Sequence, residues 1–288
     1  HSPFPMNPLS GHTKPFAVLG HPIGHTLSPV MHNASIASLG LDAIYLAFDV
    51  HPDRLLEVLP AMKAMGFGGV NLTIPLKEVA FRGLSQLDES ARLLGAVNTV
   101  QFTTDGMVGH NTDGYGFLKA MEEAFGGSLE GAKVFVLGCG GAGRAVALMA
   151  AQQGAGELML AEVDDAKRNG VASELASLHP QLKVTHATDA VASCRDADVV
   201  VQATPVGMKQ DDQPLLGAEA FRAGQRAFDL IYMYPETVFM KQAREGGAQT
   251  ANGLGMLLHQ GARAFSIWTG TEPDVEAMRA ALQKAVYG

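Results

Sequence analysis

The stretch "KVFVLGCGGAGRAVALMAAQQGAGELMLAEVDD", Lys133 to Asp165, decides the fold class. The apolar run Lys133–Leu137 predicts a buried strand, the alanine-rich segment from Ala142 a helix, and "ELMLAEV" a second strand. Between the first strand and the helix, Gly138, Gly140 and Gly143 fall at the spacing G-x-G-x-x-G, in the strand–turn–helix context that gives the spacing meaning. The first glycine makes the tight turn, the second lets backbone approach a pyrophosphate, and the third lets helix pack closely on strand. Gly141 and Ala142 open the helix, whose free N–H groups and positive dipole end favour phosphate. A tight turn without a ligand is the alternative.

Glu162 lies at the end of the second strand, where an acid accepts from the adenosine ribose hydroxyls of NAD. Asp164 and Asp165 disfavour the extra phosphate of NADP, or else simply start a solvated helix. Lys167 and Arg168 pull the other way. Cys139, inside the turn, reads as a small packing residue, because no base is evident beside it.

Outward from this unit, strand signals recur at "LKVTHA", "DVVVQAT" and "RAFDLI", and two helical patterns close the chain, Leu254–Thr269 and Pro273–Val286. Upstream, "FAVLG", "IYLAFDV" and "GGVNLTI" read as strands separated by helices over Ser28–Leu39 and Pro52–Met65. "VNTVQFT" and "MVGHN" read as a hairpin across Thr104–Gly106, followed by a helix over Asp113–Phe125. Gly126–Gly131 is a plausible boundary. The expectation is two α/β domains, the first mainly parallel.

Composition narrows the class. The 288 residues are 47% hydrophobic and 17% charged, which is globular. A net charge of -8 argues against nucleic acid or an anionic membrane as partner, so an anionic ligand must be held by local groups. No apolar run approaches a membrane span, and the start lacks the apolar core of a secretion signal. Two cysteines, Cys139 and Cys194, fit a reducing cytoplasm. "HSPFP" before Met6 reads as an appended segment.

"LGHPIGHTLSPVMHN", Leu19 to Asn33, holds three histidines. His21 and His25 span a Pro-Ile-Gly turn with no carboxylate or cysteine nearby in the sequence, so no metal is expected. Ser28-Pro29 reads as a helix cap: Ser28 accepts from free N–H groups and Pro29 takes the first helical position. Such a helix start also suits a carboxylate, with Thr26 and Ser28 as hydroxyl donors.

With "NLTIPLK", "GAVNT", "GHNTDGYG" and "NGLGMLLHQGA", that stretch resembles the shikimate dehydrogenase family over about Phe16–Met278. The resemblance implies an NAD(P)-dependent oxidoreductase that interconverts 3-dehydroshikimate and shikimate. It implies a substrate domain (1–115), a Rossmann-like cofactor domain (116–252) and helices (253–288) returning to the first domain, with the active site in the cleft. It implies Lys77 as the catalytic lysine and Asp113 as its acidic partner. Thr26 and Ser28 would hold the substrate carboxylate, Asn98 and Gln260 the ring hydroxyls, and Thr73 and Tyr232 would be further substrate contacts. Thr204 joins the glycine turn and Glu162 as a cofactor residue; Gly253 and Met256 lie beside the nicotinamide.

The chemistry is consistent with those roles. Reduction of a ketone puts negative charge on its oxygen, and a lysine ammonium stabilises that charge and donates the proton. The sequence departs from the family pattern at Thr26, usually serine; at Pro235, one place late in "DLIYMYP"; and at "AEVDD", which replaces an arginine-bearing "NRT" and leans toward NAD. A quinate/shikimate dehydrogenase, an aminoshikimate relative and a ligand sensor without turnover are the alternatives. The Lys77 and Asp113 pair argues against the sensor. Monomer and homodimer are both compatible.

Overall fold

The computed structural model describes residues 5–288, so all but Pro5 of the segment read as appended lies outside the described residues. The chain divides into two compact units. One includes the chain up to Gly116 and again from Leu257; the other is Phe117–Met256.

In the first unit six strands form a mixed sheet in the order β2-β1-β3-β5-β6-β4. β1 (Lys14–Gly20) pairs in parallel with β2 (Ala43–Asp49) and β3 (Gly69–Leu72). β3 pairs antiparallel with β5 (Thr99–Thr103), which turns through Thr104 and Asp105 into β6 (Gly106–His110) as the expected hairpin. The short β4 (Gln86–Leu87) pairs in parallel with β6. β1 shows why the sheet is covered on both faces. Ala17 and Leu19 join one core cluster with Leu55, Leu59, Val70 and Leu76, while Phe16 and Val18 join another with Ile36, Tyr45 and Phe265. Strand side chains alternate, so a continuous apolar strand feeds two cores.

Between β1 and β5 the helices of this unit are α1 (Ser28–Ser38), α2 (Leu55–Ala64), α3 (Leu76–Gly83) and α4 (Glu89–Leu94), and the chain from Leu257 adds α11 (Val275–Tyr287) and most of α10 (Leu254–Thr269). α3, β4 and α4 were not expected from sequence. α3 buries only Leu76 and Ala80, too few to show a helical period. The strand expected to reach Ile74 stops at Leu72, because the Thr73 carbonyl already accepts the Leu76 N–H at 2.9 Å and closes the turn that leads into the next helix.

In the second unit every strand pair is parallel. The strands are β7 (Lys133–Leu137), β8 (Glu157–Ala161), β9 (Lys183–His186), β10 (Val199–Gln202), β11 (Arg226–Asp229) and β12 (Gln249–Asn252). They lie in the order β12-β11-β10-β7-β8-β9. Counted within the unit this is 3-2-1-4-5-6, the doubly wound arrangement, and the order reverses between β7 and β10. Ligands in such sheets bind outside the carboxyl ends of the strands at that reversal. The connecting helices are α6 (Gly141–Gln152), α7 (Asp165–Leu178), α8 (Ala190–Asp196) and α9 (Val238–Glu245). α5 (Asp113–Phe125) precedes β7. α10 (Leu254–Thr269) and α11 (Val275–Tyr287) follow β12, and α11 packs on α1, where the Ser35 hydroxyl accepts from the Asp274 N–H at 2.9 Å. Among the described residues no helix is long and apolar enough to cross a membrane.

Candidate active site

In the first unit β1 and β3 run in parallel, and the segments leaving them meet. A Cβ on Gly20 would lie 2.6 Å from Thr73 Cγ2 and 2.7 Å from Ile23 Cδ1, so the absence of a side chain lets the two loops touch. The His21 N–H donates to the Ile74 carbonyl at 3.3 Å across that junction. One loop carries Thr26 and Ser28; the other carries Thr73 and delivers Lys77 as the second residue of α3.

Lys77 Nζ donates to Asp113 Oδ2 at 2.7 Å, with the side chains 28% and 22% exposed. Asp113 opens α5, and its own N–H is held by Asn111 Oδ1 at 2.9 Å. The other carboxylate oxygen, Oδ1, accepts from Asn98 Nδ2 at 3.1 Å. The same amide nitrogen is 2.8 Å from Thr112 Oγ1 and 3.4 Å from Gln260 Oε1. Four residues singled out from sequence, Lys77, Asp113, Asn98 and Gln260, therefore form one network. The ammonium is aimed by one carboxylate, which is aimed by one amide.

At Thr26 and Ser28 the cap reading is corrected. Leu27 holds the N-cap position without a side-chain cap, Ser28 is already helical, and Pro29 sits in the first turn. The Thr26 hydroxyl accepts from the Ser28 N–H at 3.3 Å. The Ser28 hydroxyl is thus not used as a cap. It lies against the phenol of Tyr45, whose pKa burial pushes well up.

Among the three histidines, the fold supplies what the sequence neighbourhood lacked: His21 Nδ1 is 2.6 Å from Asp49 Oδ1. His32 is wholly buried and stacks on Tyr45, ring centroids 4.2 Å apart. Among the described residues no three His, Cys, Asp or Glu side chains cluster as a metal site.

In the second unit the glycine turn fits a dinucleotide. Gly138 has φ +98°, and a Cβ there would lie 2.9 Å from the Ala203 carbonyl and 3.0 Å from Thr204 Cγ2. Thr204, just beyond β10, is thereby placed against the turn that ends β7, at the strand reversal. A Cβ on Gly143 would fall 1.8 Å from the Gly138 carbonyl oxygen, so only glycine lets α6 pack there. Gly140 and Gly141 face open space within 4 Å, and α6 has no side-chain cap. The first N–H groups of α6, with Ala142 exposed beside them, are left for an anion.

Glu162 lies against the same turn. Its Oε2 accepts from the Cys139 N–H at 2.8 Å and its Oε1 from the Asp164 N–H at 3.1 Å. The Cys139 bond, with the Asp164 N–H and the nearby Lys167, holds its carboxyl below the usual range despite some burial. Cys139 is buried, and burial with the adjacent Glu162 pushes its thiol up to about 11, which suits packing and not nucleophilic chemistry.

Asp164 caps α7, accepting from the Ala166 and Lys167 N–H groups at 3.0 and 3.2 Å. Arg168 is committed to Asp165 at 2.8 Å and to the Glu162 carbonyl at 3.0 Å, and Arg144 to Glu174 at 2.6 Å. Gly253 lies against the chain after β11, where a Cβ would fall 2.0 Å from the Leu230 carbonyl oxygen. Tyr232 follows the same strand, burial pushing its phenol pKa up, and Met256 lies in the first turn of α10.

Several residues on which this geometry depends were not singled out from sequence: Asn33, Tyr45, Asn71, Thr99, Thr112 and Gln202. The available signal was polarity in the wrong place. Asn71 in "GVNL" and Gln202 in "VVVQ" interrupt buried strands, where an amide is costly unless it is bonded.

Comparison with known proteins fits this geometry. Residues 18–100 match the model of the shikimate dehydrogenase substrate binding domain, and residues 253–283 that of the shikimate 5'-dehydrogenase C-terminal domain. The shikimate dehydrogenase (NADP+) of Methanothermobacter thermautotrophicus is 39% identical, covering 96% of this chain and 99% of that one. A crystal structure of a shikimate dehydrogenase in complex with NADP+ is 37% identical, with a TM-score of 0.89 over 98% of this chain and 99% of that one. The shikimate 5-dehydrogenase of Listeria monocytogenes, solved with shikimate and NAD, is 35% identical, with a TM-score of 0.88 over 96% and 99%. The chain belongs to the shikimate dehydrogenase family.

Proposed function

We propose that this protein catalyses the reversible NAD(P)-dependent interconversion of 3-dehydroshikimate and shikimate, in the pathway to aromatic amino acids. The observation that carries the reading is the Lys77–Asp113 pair at 2.7 Å, tied through Asn98 to Gln260. A bound nicotinamide supplies or accepts the hydride at C3. Lys77 stabilises the negative charge that develops on the C3 oxygen and gives it a proton; in the reverse direction it withdraws one. Asp113 keeps the ammonium pointed along one line. Asn98 and Gln260 present amide groups to the ring hydroxyls, and Thr26 and Ser28 present hydroxyls to the substrate carboxylate, with Thr73 and Tyr232 as further contacts. These neutral donors suit a small, singly charged acid and need no basic patch. Gly138, Gly140, Gly141, Ala142, Gly143 and Thr204 hold the cofactor's pyrophosphate end, and Gly253 and Met256 its nicotinamide end.

NAD is the favoured cofactor in this proposal. An ionised Glu162 beside the turn accepts from ribose hydroxyls and repels a 2'-phosphate. The two nearby arginines, Arg144 and Arg168, are already paired with carboxylates. Two buried free cysteines support a cytoplasmic setting, with the enzyme working as a monomer or homodimer.

The test is a steady-state comparison of kcat/KM for shikimate and quinate, each with NAD+ and NADP+. Shikimate turnover with NAD+ ahead is the expected result. NADP+ ahead removes the Glu162 argument and leaves the enzyme assignment. Quinate ahead of shikimate overturns the substrate, and no turnover in any pair overturns the assignment.

A further inference from the structure

Asn98 touches Asp113 and Gln260 through its nitrogen, so the direction of its amide matters. Flipped by 180°, it would turn a carbonyl oxygen toward the Asp113 carboxylate. Its Oδ1 accepts from the Thr112 N–H at 2.8 Å and from the Thr99 hydroxyl at 2.9 Å. Thr99 in turn has its oxygen taken by Asn71 Nδ2 at 3.0 Å, which leaves its hydrogen for Asn98. Asn71 is itself fixed. Its Nδ2 also donates to the Asn98 main-chain carbonyl, an acceptor only, at 3.1 Å, and its Oδ1 accepts from the Tyr45 hydroxyl at 2.7 Å. The orientations of the Asn71 and Asn98 amides are therefore both fixed by groups that can play one role only, the Asn98 main-chain carbonyl and the Thr112 N–H.

The fold builds this line deliberately. Asn71 and Thr99 are paired opposite each other in the β3–β5 register. Tyr45, Asn71, Thr99 and Asn98 are all 5% exposed or less, so solvent does not compete for their bonds. Tyr45 is held from α1: Asn33 accepts its N–H and donates to its carbonyl, both at 2.9 Å, and His32 stacks on its ring.

We propose that Asn71 and Thr99 are positioning residues that lock the Asn98 amide, and through it the carboxylate that aims Lys77. The inference rests on the functional reading above for its catalytic consequence, though not for the lock itself.

Thr99→Val keeps the shape and removes the hydroxyl; Thr99→Ser keeps the hydroxyl. In Thr99→Val, kcat/KM for shikimate falls about tenfold, the equivalent of one hydrogen bond, while the cofactor KM stays unchanged. Thr99→Ser restores the wild-type value. In an Asn98→Ala background Thr99→Val has no further effect, because the residue it acts through is gone. Additive losses in that cycle, or an unchanged kcat/KM, overturn the proposal.

Should Thr99→Val fail to fold, Thr99→Ala carries the same cycle: it removes the same hydroxyl and leaves Asn71 paired with the Asn98 main-chain carbonyl. A second readout needs no turnover. The Asn98 side-chain amide hydrogens, followed by NMR, exchange with solvent at least tenfold faster in Thr99→Val. Wild-type protein without shikimate turnover defeats the functional reading alone, and unchanged amide exchange defeats the lock.

Discussion

At Lys77 the ammonium faces one carboxylate oxygen at 2.7 Å and remains partly open to solvent. In the proposed mechanism lysine at this position supplies the proton, and its partly exposed side chain supplies little packing, so Lys77→Ala should fold. Loss of the proton donor lowers kcat by roughly 10²–10⁴-fold, the usual range for one general acid, while shikimate affinity changes only a few-fold. Stopped-flow and equilibrium titration separate the two, and an unchanged kcat removes Lys77 from the mechanism. His32 contributes in a different way. Burial drives its pKa down to about 3 from 6.5, so it stays neutral in the folded protein. Above pH 6.5 neither state binds the proton and stability is unaffected. As pH falls from 6.5 toward 3 only the unfolded chain binds it, and stability is lost, up to on the order of 5 kcal/mol. His32→Leu removes that penalty, so its acid-unfolding midpoint should lie at lower pH than wild type. A midpoint unmoved or raised would show that another group governs acid unfolding.

At the scale of elements, the glycine turn separates two reasons for glycine. A methyl on Gly143 collides with the Gly138 carbonyl at 1.8 Å, whereas one on Gly141 meets nothing within 4 Å. Gly143→Ala should therefore destabilise the second unit and abolish cofactor binding together. Gly141→Ala, at a helix start without positive φ, should leave stability unchanged or raise it by less than the roughly 1 kcal/mol of a helix interior, while weakening NAD+ binding. Calorimetry with a cofactor titration reads both, and full NAD+ affinity in Gly141→Ala would show that no ligand approaches there.

The turn was legible because its spacing, its strand and its helix all lie within one stretch of chain. The α3–β4–α4 segment was not, because its pieces are short and are held by contacts distant in sequence, such as the Val97 N–H on the Lys77 carbonyl at 3.0 Å. β12 was hidden for a related reason. "QTAN" has no apolar alternation, and only parallel pairing with β11 makes it a strand. The Lys77–Asp113 pair was legible as two motifs. The amide line that aims it was not, since it depends on which residues of β3 and β5 stand opposite each other.

For the whole molecule, a net charge of -8 opposes an anionic substrate and an anionic cofactor, so capture must come from local donors in each unit. Most of those donors are segregated. The glycine turn, Glu162 and Thr204 lie within Phe117–Met256, as does Tyr232 among the proposed substrate contacts, and Lys77, Asp113, Asn98 and Gln260 lie in the other unit, which has its own buried clusters. A ligand stabilises whatever binds it by RT ln(1 + [L]/Kd), about 2.7 kcal/mol at one hundred times Kd, or roughly a hundredfold slowing of exchange through unfolding. Native-state hydrogen exchange with each ligand alone should then divide the chain. NAD+ slows the amides of β7, β8 and β10 and leaves β1 and β3 nearly unchanged; shikimate does the reverse. Equal slowing of both sets by either ligand would mean that the two units unfold as a single cooperative body, and would overturn the expected division.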